Sequence, residues 1–234
     1  MLYTNYITYE LFNNEESKKI NNILVNISES EWTDGLKTTT HTNKSIKNNL
    51  ELTSKKVKSY VNNIIKNNLN KQIEYNEYTI PFVTTGPLIS KSEKDCYYRI
   101  HIDSRYLGEY STTVFVSDPD TYEGGELCLY LDNQEKKFKL DRGQAITYKT
   151  GTLHKVNTVL SGTRYAIVFW TKSLFEDIRI RNIYSNLKSL ERYHKKNLLE
   201  KDISNFENYK NNPLSIISDS KLELEKLFSV RKKD

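Results

Sequence analysis

The segment Leu127-Cys128-Leu129-Tyr130-Leu131, which follows a glycine pair at Gly124-Gly125, indicates the fold class. A run of nonpolar and aromatic residues bounded by a turn is typical of a buried β-strand. Similar short runs stand on both sides of it, separated by turns such as Asp141-Arg142-Gly143 and Ser161-Gly162. We expect further strands at residues 114–116, 138–140, 145–148, 153–159 and 165–170. Short strands at this close spacing predict a β-sandwich or jelly roll.

Helical patterns flank the predicted strands. Asn13 or Asn14 could cap a helix that begins near Glu15. Nonpolar residues then recur at helical spacing: Ile20, Ile23, Leu24 and Ile27. We expect a second helix over 52–69, helix again after residue 174, a break at Pro213 and a last short helix at 222–227. The predicted class is α+β, with an N-terminal helical support region at 1–72, a β core at 73–173 and a C-terminal helical region at 174–234.

The composition favours a globular protein without nucleic-acid or membrane partners. The net charge of +5 comes from 35 basic and 30 acidic residues, without the dense basic stripe of a nucleic-acid binder. Two cysteines, Cys96 and Cys128, are too few for a disulfide framework. The first ten residues lack a signal-peptide pattern, and no nonpolar run reaches the ~18 residues that a membrane span needs. We therefore expect a cytoplasmic protein.

The segment Tyr97-Tyr98-Arg99-Ile100-His101-Ile102-Asp103 contains a candidate metal site. Alternation along a strand would place His101 and Asp103 on the same face. The third ligand must come from elsewhere, and His154, at the start of a predicted strand, could lie beside the pair across a sheet. Two histidines and one carboxylate leave coordination positions open on an octahedral ion, which is the pattern of the non-haem iron(II) oxygenases.

The open coordination positions require a cosubstrate. 2-Oxoglutarate could chelate iron through its 1-carboxylate and 2-keto oxygen, and its 5-carboxylate then needs a cation. Arg164 is the candidate, because it stands ten residues after His154 at the start of the next predicted strand and a guanidinium matches a carboxylate better than an ammonium does. If the two strands pair as a hairpin, a stretched dicarboxylate and a long arginine side chain could span the gap between His154 and Arg164.

These residues stand within a sequence that resembles the PKHD-type hydroxylases, which are bacterial and viral relatives of the prolyl and lysyl hydroxylases. The resemblance covers most of the chain and is carried by these segments: Glu31-Trp32-Thr33-Asp34-Gly35, Lys47-Asn48-Asn49, His101-Ile102-Asp103, Ser117-Asp118-Pro119, Tyr122-Glu123-Gly124-Gly125-Glu126-Leu127, Leu153-His154 and 164–170. The Gly-Gly-Glu-Leu turn and the strand at 164–170 also resemble the animal oxygen-sensing prolyl hydroxylases.

The resemblance implies a double-stranded β-helix (jelly-roll) core between N-terminal and C-terminal helices. It implies that His101, Asp103 and His154 bind iron(II), that Arg164 binds 2-oxoglutarate, and that ascorbate is a candidate reductant. Tyr98, three residues before the first histidine, matches a family tyrosine that lines the cosubstrate pocket.

The chain departs from the family at two places. Ser92 stands where the family often has a tyrosine, nine residues before the first histidine, so one hydrogen bond to 2-oxoglutarate is missing or replaced. The loop at 104–110 is shorter than in many members. Because that loop tends to form part of the substrate rim, the family's substrates are not transferred to this chain.

Together these observations favour a dioxygenase that uses molecular oxygen to hydroxylate a C–H bond and releases succinate and carbon dioxide. A peptidyl residue such as proline is the first candidate substrate. The same chemistry on a small molecule or a nucleobase remains an alternative, and so does a non-catalytic β-barrel module that binds a metal or ligand. The C-terminal helices are a candidate homodimer surface.

Overall fold

A computed structural model describes residues 4–38, 44–197, 209–210 and 212–229. The described α-helices are α1 (Asn14–Asn26), α2 (Lys55–Leu69), α3 (Ile73–Thr79), α4 (Ile178–Asn197) and α5 (Pro213–Phe228). The strands are β1 (Tyr6–Glu10), β2 (Trp32–Asp34), β3 (Lys47–Asn48), β4 (Leu50–Leu52), β5 (Pro81–Thr84), β6 (Leu88–Ser92), β7 (Tyr97–His101), β8 (Tyr110–Phe115), β9 (Tyr122–Gly124), β10 (Leu127–Leu131), β11 (Gln134–Phe138), β12 (Gln144–Lys149), β13 (His154–Val156), β14 (Val159–Gly162) and β15 (Arg164–Ser173). None of the described helices combines the length and the nonpolar character needed to span a membrane.

The strands form two antiparallel sheets that enclose a cavity, with a small third sheet beside them. The main sheet has the order β1-β12-β8-β15-β6-β4-β2, with β5 also paired to β15. The smaller sheet has the order β11-β10-β13-β7-β3, and β14 pairs with β9. Every strand pair is antiparallel. This architecture confirms the predicted jelly-roll core within an α+β fold.

Strand β15 shows how the sequence divides its residues between the cavity and the core. Ile167 and Phe169 are fully buried and pack in the main core with residues of α1 and α2. The alternate residues Ala166, Val168 and Trp170 line the cavity. Burial of each large nonpolar side chain contributes about 1.5–3 kcal/mol, so the helices hold the outer face of the sheet while its inner face remains available for chemistry.

The first 72 residues contribute strands as well as helices. Strand β1 pairs with β12 at one edge of the main sheet, β4 and β2 form the other edge, and β3 extends the smaller sheet. These strands have two to five residues, which is too short for alternation to stand out from the sequence. Helix α1 begins after Asn13, whose side chain accepts a hydrogen bond from the Glu16 backbone N–H, so the predicted cap is confirmed.

Two predicted features near the ends of elements were wrong. The last helix is longer than the segment expected at 222–227, because α5 begins at Pro213, where the missing N–H needs no partner, and the Asn212 side chain caps it at 2.9 Å from the Leu214 nitrogen. Residues 209–210 are helical and Asn212 is not, so the break predicted at Pro213 lies at the start of this new helix. The continuous strand expected at 153–159 is divided into β13 and β14. Its interruption lies at Thr158, whose carbonyl accepts the Gly125 N–H.

The hairpin that was considered for His154 and Arg164 does not form. Strand β13 pairs with β10 and β7 in the smaller sheet, while β15 pairs with β8, β6 and β5 in the main sheet. The two residues therefore face each other from different sheets, and the distance between them is set by the packing of the sheets.

The turn at Gly143 connects the N-terminal segment to the main sheet. Its carbonyl accepts the N–H groups of Leu11 and Phe12, and its N–H donates to the Phe115 carbonyl at 2.8 Å. Its φ is +91°, and a Cβ atom there would lie 2.4 Å from the Phe12 carbonyl oxygen. Only glycine tolerates both the positive φ and the close approach of the Phe12 carbonyl without strain.

We expect Gly143→Ala to destabilise the protein by about 2 kcal/mol or more, because positive φ and backbone contact both penalise a side chain. Gly151→Ala is the matched control, since a Cβ at Gly151 meets nothing within 4 Å. Urea unfolding measures both variants. Equal stability of the two variants would contradict the role assigned to this turn.

Candidate active site

A cavity of about 380 Å³ lies between the two large sheets. Its walls include all five residues that the sequence singled out: Tyr98, His101, Asp103, His154 and Arg164. The smaller sheet supplies the two histidines and the main sheet supplies the arginine. Residues that are far apart in the chain thus converge on one enclosed space.

The two histidines lie directly opposite each other on neighbouring strands. His154 of β13 is paired with His101 of β7, and their ring centroids are 4.2 Å apart. Each Nδ1 lies 2.8 Å from a backbone carbonyl, that of Arg99 for His101 and that of Thr152 for His154. These contacts favour a proton on Nδ1, which leaves each Nε2 with a free lone pair for a metal.

The two carboxylate oxygens of Asp103 have different neighbours. Its Oδ1 is 3.6 Å from His101 Nε2 and 3.7 Å from His154 Nε2. Its Oδ2 accepts hydrogen bonds from Ser111 Oγ at 2.8 Å and Trp170 Nε1 at 2.9 Å. Strand β7 ends at His101, so these two donors, and not strand alternation alone, orient the carboxylate.

The pKa values of Asp103 and His154 are shifted in the directions that metal binding requires. Burial alone would raise the pKa of the Asp103 carboxyl, but hydrogen bonding with His101, the charge of His154 and the donors Trp170 and Ser111 lower it to about 2. Burial, together with the neighbouring His101, lowers the pKa of His154 despite the opposing effect of Asp103. A carboxylate and a neutral imidazole are the protonation states that bind metals.

One ligand atom from each of His101, Asp103 and His154 lies within 4.8 Å of the others. Such a separation permits the three to share one ion, and two imidazoles with one carboxylate form the donor set of non-haem iron(II) sites. The residues therefore fit iron(II), and they leave further coordination positions open.

Arg164 is a buried cation on the opposite sheet. Its side chain forms no ion pair within the described part of the chain, and its Nε has no hydrogen-bond partner there. Burial lowers the pKa of Arg164, whereas the neighbouring Tyr122 raises it, and a guanidinium stays charged in proteins. Gly125 makes room for it, because a Cβ there would lie 3.0 Å from Arg164 Cδ. A desolvated cation of this kind favours the binding of an anion.

Tyr98 and Ser92 also line the cavity, one beside His101 and the other beside Arg164. The Tyr98 ring stacks on His101, with centroids 3.6 Å apart and planes 16° from parallel. Ser92 is buried and pairs with Arg164 across β6 and β15. The small serine side chain leaves space beside the guanidinium.

Four residues that were not predicted from the sequence lie next to the residues of this site: Ser111, Trp170, Tyr122 and Tyr148. Trp170 could have been found, because every second residue from Arg164 onwards faces the cavity. Ser111 and Tyr148 carry no such signal, since their partners at the site are distant in the chain, whereas Tyr122 stands in one of the segments that carry the family resemblance.

Comparison with known proteins agrees with this geometry. Residues 88–172 match the family model of the 2OG-Fe(II) oxygenase superfamily. A PKHD-type hydroxylase of Prochlorococcus marinus strain AS9601 is 35% identical over 188 residues, covering 78% of this chain and 85% of the relative. A PKHD-type hydroxylase of Gluconacetobacter diazotrophicus is 31% identical over 169 residues, covering 68% and 74%.

Solved structures show the same fold at low sequence identity. A prolyl hydroxylase from Trichoplax adhaerens, in complex with a peptide fragment of the hypoxia inducible factor oxygen degradation domain, has a TM-score of 0.58 at 15% identity and covers 73% of this chain and 84% of its own. A Pseudomonas putida prolyl-4-hydroxylase has a TM-score of 0.52 at 11% identity and covers 73% and 94%. On the strength of the sequence relatives, this chain belongs to the PKHD-type hydroxylases of the 2OG-Fe(II) oxygenase superfamily and is a 2-oxoglutarate-dependent dioxygenase.

Proposed function

We propose that this enzyme hydroxylates a C–H bond of a peptidyl residue, with proline as the first candidate. One observation supports the proposal: His101 and His154 of the smaller sheet, together with Asp103 just after β7, share a single cavity with a buried arginine of the main sheet. In the balanced reaction, dioxygen and 2-oxoglutarate are consumed, succinate and carbon dioxide are released, and one oxygen atom is inserted into the substrate C–H bond.

His101, Asp103 and His154 would hold iron(II), which when bound supplies the redox chemistry that activates dioxygen. The carbonyls of Arg99 and Thr152 keep each imidazole in the orientation that presents Nε2. Ser111 and Trp170 hold Asp103 so that one carboxylate oxygen faces the histidines. These contacts would therefore hold the three side chains in position for an ion.

Arg164 would bind the 5-carboxylate of 2-oxoglutarate. The guanidinium is buried, so its attraction for a carboxylate is screened little by water. Tyr98, stacked on His101, would border the cosubstrate on the metal side.

The mouth of the cavity supports a substrate with an uncharged, aliphatic reacting group. Ile102 and Leu107 line the cavity and are 53% and 36% exposed. Nonpolar rims of this kind favour peptide side chains over phosphorylated ligands. A nucleobase substrate is less favoured, because Lys47, the other cation among the described lining residues, is already ion-paired with Glu51. The Trichoplax protein of the same fold was solved with a peptide.

The function is tested by incubating the purified protein with iron(II), 2-oxoglutarate, ascorbate and proline-containing peptides. We expect iron-dependent succinate release and a one-oxygen mass gain in a peptide. A mass gain only in small molecules would favour the alternative substrate class. Unchanged turnover without ascorbate would remove ascorbate as the reductant.

We expect His154→Ala to lower iron-dependent succinate formation by about 100-fold or more, because one of three metal ligands is lost. His194→Ala, on α4 and outside the cavity, is the matched control and should retain wild-type turnover. Full turnover by His154→Ala at the same iron concentration would refute the proposed ligand set.

We expect Arg164→Met to raise the dissociation constant of 2-oxoglutarate at least about 30-fold, because loss of one partner of a buried charge pair costs 2 kcal/mol or more. Methionine keeps most of the buried volume. Arg142→Met is the control, since Arg142 pairs with Asp118 outside the cavity. An anaerobic titration that follows the iron-to-cosubstrate charge-transfer band measures both variants. Unchanged affinity in Arg164→Met would mean that another cation binds this carboxylate.

We expect Trp170→Phe to weaken iron(II) binding about 10- to 100-fold, because Asp103 loses one of the two donors that orient it. Trp32→Phe provides the control, as Trp32 is buried in the main core away from the cavity. Anaerobic iron titration of both variants gives the comparison. If both bind iron equally well, the Trp170 hydrogen bond does not position the carboxylate.

A further inference from the structure

A second, much smaller cavity lies where the beginning of α4 meets α3 and the ends of β8 and β12. Its volume is about 20 Å³, and none of its lining residues belongs to the catalytic cavity. Since a single water needs roughly 10–15 Å³, there is room for one small occupant. The charged and polar residues of its wall include Glu77, Tyr78, Tyr110, Lys149, Arg181 and Asn182.

Arg181 is a buried cation in the wall of this cavity and is only 9% exposed. Its Nη1 donates to the Phe175 carbonyl at 3.0 Å, but its buried Nε has no hydrogen-bond partner within the described residues. Its guanidinium carbon lies 5.5 Å from the centre of the Tyr110 ring, a contact that balances only part of a positive charge. Because burying a cation without a counter-ion is costly, a negatively charged occupant beside Arg181 would be favourable.

The other charged side chains of the wall do not neutralise Arg181. Glu77 contributes a carboxylate, but that carboxylate is ion-paired with Arg192 at 2.5 Å. Lys149 adds a second positive charge to the wall. The wall therefore has an excess of positive charge, and an anion is a better occupant than a cation or a neutral molecule.

Two tyrosines add neutral hydrogen-bond donors to the same wall. The rings of Tyr78 and Tyr110 have centroids 5.0 Å apart, and the Tyr78 hydroxyl has a long contact of 3.4 Å with the Thr4 carbonyl. Burial raises the pKa of both tyrosines, and the charge of Arg181 opposes that rise in each. Both hydroxyls are thus protonated, close to the guanidinium and able to donate a hydrogen bond to an anion.

We propose that this cavity binds one monovalent anion of the size of chloride, held by Arg181 and by the hydroxyls of Tyr78 and Tyr110. The small volume favours a monatomic anion over a larger organic one. The anion would fix the beginning of α4 against the main sheet, because Arg181 belongs to α4 and Tyr110 to β8. It would also stabilise the end of β8 at which Ser111 donates to Asp103.

The first test is thermal unfolding of the full chain in sodium chloride and in sodium gluconate at equal ionic strength. Gluconate is too large for the cavity and corrects for general salt effects. We expect chloride at about 0.5 M to raise the wild-type midpoint by about 3 °C or more, the shift for a ligand at roughly ten times its dissociation constant.

Three variants assign this chloride dependence to the cavity. Arg181→Met, which keeps most of the buried volume, should lose it, and Tyr110→Phe, which removes one donor, should reduce it. Arg142→Met is the matched control and should keep it, because Arg142 also has a buried Nε without a partner but is ion-paired with Asp118 at 2.6 Å. Equal chloride dependence in Arg181→Met and Arg142→Met would overturn the proposal.

The second test needs no variant and therefore still decides the question if Arg181→Met does not fold. Bromide replaces chloride in such sites and scatters X-rays anomalously, so we expect an anomalous peak beside Arg181 Nε in wild-type crystals grown with sodium bromide. Density in the cavity without anomalous signal would identify a water and overturn the proposal. Neither test depends on iron or turnover, so a negative result would leave the proposed function untouched.

Discussion

The hydrogen bonds from Ser111 and Trp170 to Asp103 connect the two sheets at the site. Asp103 follows β7 of the smaller sheet, while Ser111 and Trp170 belong to β8 and β15 of the main sheet. A buried carboxylate is costly unless donors satisfy it. The two donors offset that cost at one oxygen and leave the other beside the histidines. The contacts that make the burial tolerable thus also set the ligand geometry.

Strand β15 links the cavity to the hydrophobic core. Its cavity-facing residues begin with Arg164 and end with Trp170, about 20 Å apart at ~3.3 Å per residue. Its opposite face is anchored by Ile167 and Phe169 in the core beneath α1 and α2. Because the nonpolar face is held in a packed interior, the polar groups at both ends of the cavity are held at a constant separation.

The candidate site residues could be predicted from residue type and order in the sequence. His101, Asp103, His154 and Arg164 were singled out by chemistry and order, and the structure brings them to one cavity. His154 lies beside His101 across a sheet, as expected, whereas the hairpin considered for Arg164 does not form. Strand alternation describes neighbours within a strand, but it contains no information about which sheet a later strand joins. The short strands before residue 72 were not predicted, for a related reason. Where each of them begins and ends is set by hydrogen bonding to a neighbouring strand, and not by a pattern in its own sequence.

By itself, the sequence determined the candidate donor set, the turns that separate the strands and the nonpolar runs that require a layered β core. These are local properties, because ligand chemistry, backbone freedom at glycine and the side-chain period depend on residues close in the chain. Only the tertiary structure decided that Ser111, Trp170 and Tyr148 reach the site, and that Arg164 faces the histidines from the opposite sheet. Those relations arise from the packing of sheets against each other and against helices, which is a collective property of the whole core.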